Sequence, residues 1–137
     1  KQPPKSTGRE MFGQEYVKKL LQRAQRYDLP FEDVVTTATA LTALSLEKAI
    51  RRFIRQPVDE IIVSGGGVHN KTLMIMLEEY CGEPEVVSSD HFGIDPDAKE
   101  ALVFAVIGNE TMHGHAVTIP LVTGAVSPAI LGKICLP

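Results

Sequence analysis

Apolar residues recur every three or four positions in the first part of the chain. Between about residues 14 and 27 they alternate with Lys and Arg, which predicts an amphipathic helix. Asp28-Leu29-Pro30 interrupts this pattern, and Pro30 suits the first residue of a second helix that we expect to end near Ile54. Residues 36–46 are nearly all Ala, Thr, Leu and Ser, so we expect this helix to pack on more than one side.

Two short segments rich in β-branched residues follow, residues 59–64 and 83–88, and each predicts a strand. A helix beginning near Asn70 separates them. Its apolar positions on one face are Leu73, Met76, Leu77 and Tyr80. A last helix is expected over about residues 97–112, before a Gly/Pro-rich tail. Strands separated by a helix favour parallel pairing, so the predicted fold class is α/β, with a small, mostly parallel sheet flanked by helices.

Length and composition narrow the class of protein. A chain of 137 residues suits one domain, and its 44% of apolar residues favours a globular fold over disorder. Aromatic residues make up only 6%, which argues against a base-stacking surface or an aromatic carbohydrate platform. The formal net charge of −3 is unlike the basic balance of nucleic-acid binders, so no nucleic-acid partner is predicted.

The cysteines and the length of the apolar runs indicate the cellular compartment of the protein. Cys81 and Cys135 match no metal-ligand spacing, and we expect both to be reduced, partly buried thiols of a cytoplasmic protein. No apolar run reaches the roughly 18 residues of a membrane helix, so no membrane association is predicted. Residues 1–9 are expected to form a loop without a signal-peptide core, as if the chain had been cut from a longer one.

The strongest chemical signal is Ile61-Ile62-Val63-Ser64-Gly65-Gly66-Gly67-Val68-His69-Asn70, where a predicted strand runs into three glycines and then a helix. Glycine permits positive φ and lets a ligand approach the backbone closely, and the N-terminus of a helix favours an anion. The segment is neither the G-x-G-x-x-G dinucleotide fingerprint nor a P-loop. The residues alone leave two interpretations open, a turn that binds an anionic or nucleotide ligand and a tight structural turn.

A second signal is Gly93-Ile94-Asp95-Pro96-Asp97-Ala98-Lys99-Glu100-Ala101. Asp95 and Asp97 are suited to cap the N-terminus of the last helix, and Glu100 follows in its first turn. Glu100 can point into a cleft or stay in solvent beside Lys99. Taken alone, the residues favour capping and a solvated charge pair.

Two weaker signals remain. Residues 3–10, Pro-Pro-Lys-Ser-Thr-Gly-Arg-Glu, combine hydroxyls with two bases, which can hold an anion or form a surface connector. His113-Gly114-His115 can be read as a metal pair, but no cysteine lies nearby and no histidines stand at i, i+4, so we predict no metal site. A Ser-His-Asp hydrolase is not indicated either, because the chain has no G-x-S-x-G motif.

Four segments together resemble one enzyme family. They are Pro4-Lys5-Ser6-Thr7-Gly8-Arg9-Glu10, the Gly-rich segment at residues 64–70, the segment at residues 93–101, and Thr123-Gly124-Ala125. In this order they are similar to the C-terminal half of anhydro-N-acetylmuramic acid kinases and of the related levoglucosan kinases. The resemblance spans nearly the whole chain.

The resemblance implies one lobe of the ribonuclease H-like ATPase fold shared by actin, hexokinase and Hsp70, in which two α/β lobes close over ATP and a sugar. The implied reaction uses ATP, with Mg²⁺, and water to open the 1,6-anhydro bridge of 1,6-anhydro-N-acetylmuramic acid and to phosphorylate O6, in peptidoglycan recycling. Glu100 corresponds to a family carboxylate that contacts the anhydrosugar. The implied nucleotide-binding residues are Gly65, Gly66, Gly67, His69 and Asn70.

The resemblance also implies what these residues do not supply. The family's N-terminal phosphate loop, similar to Gly-Thr-Ser-x-Asp-Gly, and the aspartate that serves as general base have no match in the 137 residues. We therefore expect a C-terminal nucleotide-binding lobe that is nearly inactive alone and whose partner is the N-terminal lobe of the same enzyme. The alternatives are levoglucosan kinase-like activity, a non-catalytic nucleotide-binding fragment, and an interaction domain that forms a homo-oligomer through apolar surface.

Overall fold

The computed structural model describes residues 8–135, which form two compact units. One unit spans residues 18–99, and the other combines the described residues before and after it. The helices are α1 (Arg9–Phe12), α2 (Gln14–Arg26), α3 (Phe31–Phe53), α4 (Lys71–Cys81), α5 (Lys99–Met112) and α6 (Pro120–Thr123). The strands are β1 (Glu60–Val63) and β2 (Glu85–Ser88), and short 3-10 helices follow each of them at Gly66–His69 and Ser89–Phe92.

The two strands pair in parallel, which confirms the prediction from their order along the chain. Ile61 lies opposite Val86, and Val63 lies opposite Ser88 at the carboxyl end of the pair. The α/β class is therefore confirmed at the level of a small parallel sheet with helices. Parallel strands need a crossover between them, and α4 supplies it.

Helix α4 follows its predicted pattern closely. Asn70 is its N-cap residue, and the Asn70 side-chain oxygen accepts a hydrogen bond from the Leu73 N–H at 3.1 Å. Gly82 ends the helix with a φ of +75°, a conformation that favours glycine. Leu77 is buried, and α4 packs against α3 within the unit of residues 18–99.

Helix α3 differs from the prediction at its start and in its burial. It begins at Phe31, with Pro30 as the non-helical residue before it. Within the described part of the chain only Val34 and Ala43 of α3 are buried, so these residues do not supply the packing on several sides that was expected. The threonine hydroxyls of α3 form hydrogen bonds within the helix itself. The Thr36 hydroxyl, for example, donates to the Glu32 carbonyl at 2.8 Å, so it does not need a partner from another element.

Helix α5 begins at Lys99, two residues after the predicted start, because residues 96–98 form a turn. None of its residues is buried within the described chain. Leu102 and Val106 are exposed, and Phe104 is 70% exposed. Residues 101–108 are apolar or glycine on every side of the helix, a pattern that normally lies in a protein interior. The apolar side chains of α5 are therefore left uncovered by the other residues of the described chain.

The cysteine prediction is confirmed for one residue and corrected for the other. Both thiols are free, with Cys81 half-buried and Cys135 exposed rather than partly buried. Burial raises the pKa of the Cys81 thiol, which keeps it protonated near neutral pH. Among the described residues, no helix has both the length and the apolar character required to cross a membrane.

Candidate functional site

The candidate site lies at the carboxyl edge of the two-stranded sheet. Because Val63 pairs with Ser88, the segments that leave the two strands begin side by side. One is the Gly-rich turn, residues 64–70, and the other is the loop of residues 89–98, called here the 89–98 loop. Ligands of open parallel sheets bind at this edge. All of these residues belong to the unit of residues 18–99.

The backbone of the Gly-rich turn requires glycine at position 65. Gly65 has φ +81° and ψ −177°, a region that only glycine adopts without strain. A Cβ placed on Gly65 or Gly66 would meet no atom within 4 Å, whereas one on Gly67 would lie 3.5 Å from Leu73 Cδ2. The backbone at the first two glycines therefore borders open space, which leaves room for a ligand to approach it closely.

Two hydrogen bonds connect the Gly-rich turn to the 89–98 loop. The Gly65 N–H donates to the Pro96 carbonyl oxygen at 3.0 Å. His69 Nε2 lies 3.0 Å from Oδ1 and 2.9 Å from Oδ2 of Asp97. The prediction that Asp97 caps the last helix was therefore wrong, because its carboxylate contacts His69 and α5 begins at Lys99. Spacing along the chain gave no sign of this pair.

Asn70 contributes to the site mainly as a structural residue. Its side-chain oxygen accepts the Leu73 N–H, and its backbone N–H donates to the Gly67 carbonyl at 3.1 Å. These contacts fix the path from the Gly-rich turn into α4. The side-chain oxygen of Asn70 is thus occupied by the helix cap, a role that the sequence did not assign to it.

Carboxylates dominate the charge of the 89–98 loop. The pKa of exposed Asp90 is lowered, chiefly by the nearby Ser88 side chain, so this group is ionised at neutral pH. Asp95 accepts the Asp97 N–H at 2.9 Å through its side chain. Within residues 8–135, no group of three or more His, Cys, Asp or Glu side chains is arranged to hold a metal ion.

The other residues singled out from the sequence belong to the other compact unit or lie outside the described residues. Glu100 is the second residue of α5, is exposed, and belongs to the other compact unit. Arg9 is the first residue of α1 and is exposed. Lys5, Ser6 and Thr7, from the segment that can hold an anion, lie outside the described residues.

The His113-Gly114-His115 segment has contacts of its own at the end of α5. His113 Nδ1 lies 2.8 Å from the Asn109 carbonyl oxygen, and His115 Nδ1 lies 2.7 Å from Glu110 Oε2. Hydrogen bonding with His115 lowers the pKa of the Glu110 carboxyl. Both imidazoles therefore contact residues near the C-terminal end of α5. Within the described chain, these contacts do not link the segment to a larger cluster of functional side chains.

Comparison with known proteins gives one family over the whole chain. A family model described as anhydro-N-acetylmuramic acid kinase matches residues 1–137. A protein of that name from Salinibacter ruber is 48% identical over 139 residues, covering 100% of this chain and 35% of the relative. Similar proteins of the same name occur in Caldanaerobacter subterraneus (41% identical, 98% of this chain, 34% of the relative) and Clostridioides difficile (40% identical, 96% of this chain, 34% of the relative).

Proposed function

Because the chain belongs to the anhydro-N-acetylmuramic acid kinase family, we propose that it is part of an ATP-dependent kinase acting on 1,6-anhydro-N-acetylmuramic acid. The chain spans about a third of the length of the curated relatives it matches, with 35% covered in the Salinibacter ruber protein. The activity is therefore proposed for the complete protein that contains this chain. The 137 residues are its C-terminal nucleotide-binding lobe, one lobe of an actin- and hexokinase-like ATPase fold.

The observation that carries the nucleotide-binding role is the Gly-rich turn at the carboxyl edge of the parallel strands. Gly65 takes a conformation reserved for glycine, and a Cβ at Gly65 or Gly66 would project into open space. This geometry fits a ligand that needs close backbone approach, such as the phosphates of ATP. His69 and Asn70 complete the turn, although Asn70 acts chiefly by capping α4.

The proposed reaction opens the 1,6-anhydro bridge with water and phosphorylates O6. ATP, bound with Mg²⁺, supplies the phosphoryl group. The Gly-rich turn would hold the nucleotide in place, and Glu100 would accept a short, charge-assisted hydrogen bond from a sugar hydroxyl. Because phosphoryl transfer depends on positioning and charge neutralisation, these two contributions are the ones expected of this chain. No residue of the described chain is assigned to Mg²⁺.

The choice of sugar and the cellular role belong to the same proposal. The muramic sugar places the enzyme in peptidoglycan recycling and amino-sugar metabolism, in the cytoplasm. A levoglucosan kinase-like activity is the alternative, since it uses a sugar without the N-acetyl and lactyl groups. Comparing turnover of the complete protein on the two anhydrosugars separates these substrates.

The Gly-rich turn provides a direct test through two neighbouring substitutions. Gly65→Ala forces a side chain into a glycine-only conformation, so we expect a loss of about 1–3 kcal/mol in the free energy of unfolding. Gly66→Ala places its methyl group in open space, so we expect a melting temperature close to the wild type. The same methyl group would obstruct an approaching phosphate and weaken ADP binding by about tenfold, the equivalent of one lost hydrogen bond to a charged group.

Calorimetric titration of the complete protein with ADP measures the second effect, and thermal unfolding measures the first. Gly82→Ala is the matched control, since Gly82 also has positive φ and open space around a Cβ but ends α4. It should destabilise the protein without changing ADP affinity in the folded fraction. Unchanged ADP affinity in Gly66→Ala would contradict the proposed nucleotide role of the turn.

A second candidate function, an interaction surface, is favoured by the exposure of α5. Residues 101–108 of this helix are all apolar or glycine, yet α5 has no buried residue in the described chain. The proposed occupant is the remainder of the complete protein, because family members are about three times as long as this chain. Burying one such large apolar side chain contributes roughly 1.5–3 kcal/mol, so several on one helix make a substantial interface.

The isolated chain is accordingly expected to self-associate. Light scattering after size exclusion should give a mass well above the 15.0 kDa of one chain. Phe104→Lys, at the aromatic residue of α5, should shift the mass towards the monomer. Ile75→Lys, at an exposed position of α4, serves as the control and should not. A monodisperse monomer in the wild type would exclude this surface as an interface of the isolated chain.

A further inference from the structure

The Gly-rich turn makes a hydrogen bond near each of its ends to the 89–98 loop. The two loop residues that form these contacts, Pro96 and Asp97, are consecutive in the chain. The Gly65 N–H donates to the carbonyl of Pro96, and the His69 imidazole contacts the carboxylate of the next residue, Asp97. His69 and Asp97 are 28 residues apart in the chain. The turn is therefore connected to the loop at its start and at its end, with the glycines between the two attachments.

The contact with Asp97 affects which ring nitrogen of His69 carries a proton, as well as the position of the ring. A carboxylate oxygen accepts hydrogen bonds when the group is charged, and in that pairing His69 Nε2 is the donor. Nε2 lies at nearly equal distances, 3.0 and 2.9 Å, from the two oxygens of Asp97. The ring orientation and the protonated nitrogen are thus both set by Asp97, as in other pairs of histidine and carboxylate.

Asp97 is itself held by contacts that lead back to the sheet. Its N–H donates to Asp95 Oδ1 at 2.9 Å, and the Ala98 N–H donates to the Asp95 carbonyl at 3.1 Å. The Ile94 N–H donates to the carbonyl of Ser89 at 3.1 Å, and Ser89 is only 4% exposed. Ser89 directly follows the last residue of β2, so the loop that carries Asp97 is anchored at the strand end.

The exposure of the pair indicates that its main effect is local. The side chains of His69 and Asp97 are 63% and 62% exposed, and ion pairs at such positions contribute little to folding stability. The pair can still determine the backbone conformation of the turn, because a small free energy is enough to favour one of several backbone conformations of similar energy. The pair should therefore affect a ligand bound by the turn more than the stability of the fold.

We propose that Asp97 is a positioning residue that, through His69, holds the Gly-rich turn in the arrangement that binds the phosphates of a nucleotide. This inference rests on the proposed nucleotide-binding role of the turn. Pro96, which accepts the Gly65 N–H, holds the start of the turn, and Asp97 holds its end. The order of the turn before any nucleotide arrives lowers the entropy lost on binding.

The test uses the complete protein that contains this chain, with ADP as the probe. Asp97→Ala is expected to weaken ADP binding about five- to tenfold by calorimetry. It should leave the KM for the anhydrosugar within twofold of the wild type. Asp97→Asn retains an oxygen that can accept the His69 Nε2 proton, so it should restore most of the affinity. The Asp97→Ala/His69→Ala double variant should bind no more weakly than either single variant, because the two side chains act as one unit.

Hydrogen exchange without nucleotide gives a readout that is independent of activity. Amides of residues 65–70 should exchange faster in Asp97→Ala, and amides of α3 should not change. Asp59→Ala is the matched control, since Asp59 precedes β1 at the opposite end of the same strand. It should alter neither exchange in the turn nor ADP affinity.

The outcomes separate this inference from the proposal on which it rests. Wild-type protein that fails to bind ADP would overturn the nucleotide role of the turn, and the inference with it. Wild-type protein that binds ADP, together with Asp97→Ala of equal affinity or unchanged exchange, would overturn the inference alone. Loss of affinity in Asp97→Asn equal to that in Asp97→Ala would also overturn it, because the hydrogen bond to His69 would then not be the cause.

Discussion

The purified 137-residue chain is expected to release no ADP above background when incubated with Mg-ATP and 1,6-anhydro-N-acetylmuramic acid. The N-terminal phosphate loop and the general-base aspartate that the resemblance implies for the family have no match in the 137 residues. A general base alone contributes typically 10²- to 10⁴-fold to a rate, and the loss of phosphate positioning adds to this. The combined loss should place turnover below the detection limit of a coupled ADP assay.

The complete protein is the positive control for this measurement, assayed at the same molar concentration. Turnover by the isolated chain that is lost in Glu100→Ala would mean that the chain holds a complete site. The sequence of the source gene provides a second check. An upstream phosphate loop and aspartate make the chain part of an enzyme, whereas their absence would favour the non-catalytic nucleotide-binding fragment.

Local patterns were sufficient to predict the elements around the site. The β-branched segments, the three glycines and the apolar spacing after Asn70 predicted strand, turn and helix in the right order. The parallel pairing of β1 and β2 followed from the helix between them. These features depend on residues close together in the chain, where spacing and propensity carry the physical information.

Contacts between distant residues could not be predicted in this way. Asp97 was predicted to cap a helix because Asp is favoured at that position, whereas in the structure its carboxylate contacts the His69 imidazole. The Gly65 hydrogen bond to Pro96 likewise depends on how two loops meet at the sheet edge. Spacing within one segment holds no information about a partner in another, so tertiary contacts overrode the local preference.

The burial of apolar helices was the other limit. The sequence of α5 has apolar residues such as Leu102 and Val106 that favour burial, but a pattern does not indicate which part of a protein buries them. Similarly, the small residues of α3 were expected to be packed closely, although its threonine hydroxyls are satisfied within the helix. Hydrophobic periodicity indicates which side chains favour burial, but it does not indicate which other part of the protein packs against them.

Glu100 shows how the resemblance and the residues alone led to different interpretations. Its position in the first turn of α5, with an exposed side chain, is compatible with an ordinary solvated carboxylate. The resemblance instead implies that it contacts the anhydrosugar. A substitution at this position therefore distinguishes the two interpretations better than any other single change in the chain.

In the complete protein, Glu100→Ala is expected to lower kcat/KM for the anhydrosugar by about 10- to 100-fold. This is the range equivalent to losing one hydrogen bond to a charged group, about 1.5–3 kcal/mol. Because Glu100 is proposed to contact the sugar and not the nucleotide, ADP affinity should stay within twofold of the wild type. Steady-state kinetics with each substrate varied in turn, together with ADP calorimetry, measure both quantities.

The control is Glu110→Ala, which removes a carboxylate from the same helix near its other end. Glu110 contacts His115, so its loss should lower the melting temperature slightly and leave both kinetic constants unchanged. Glu100→Gln separates charge from hydrogen bonding, since Gln keeps an acceptor oxygen but weakens the bond. Its kcat/KM should fall between those of Glu100→Ala and the wild type. Wild-type kinetics in Glu100→Ala would show that this carboxylate is a solvated residue of α5, and the sugar contact would then have to come from other parts of the complete protein.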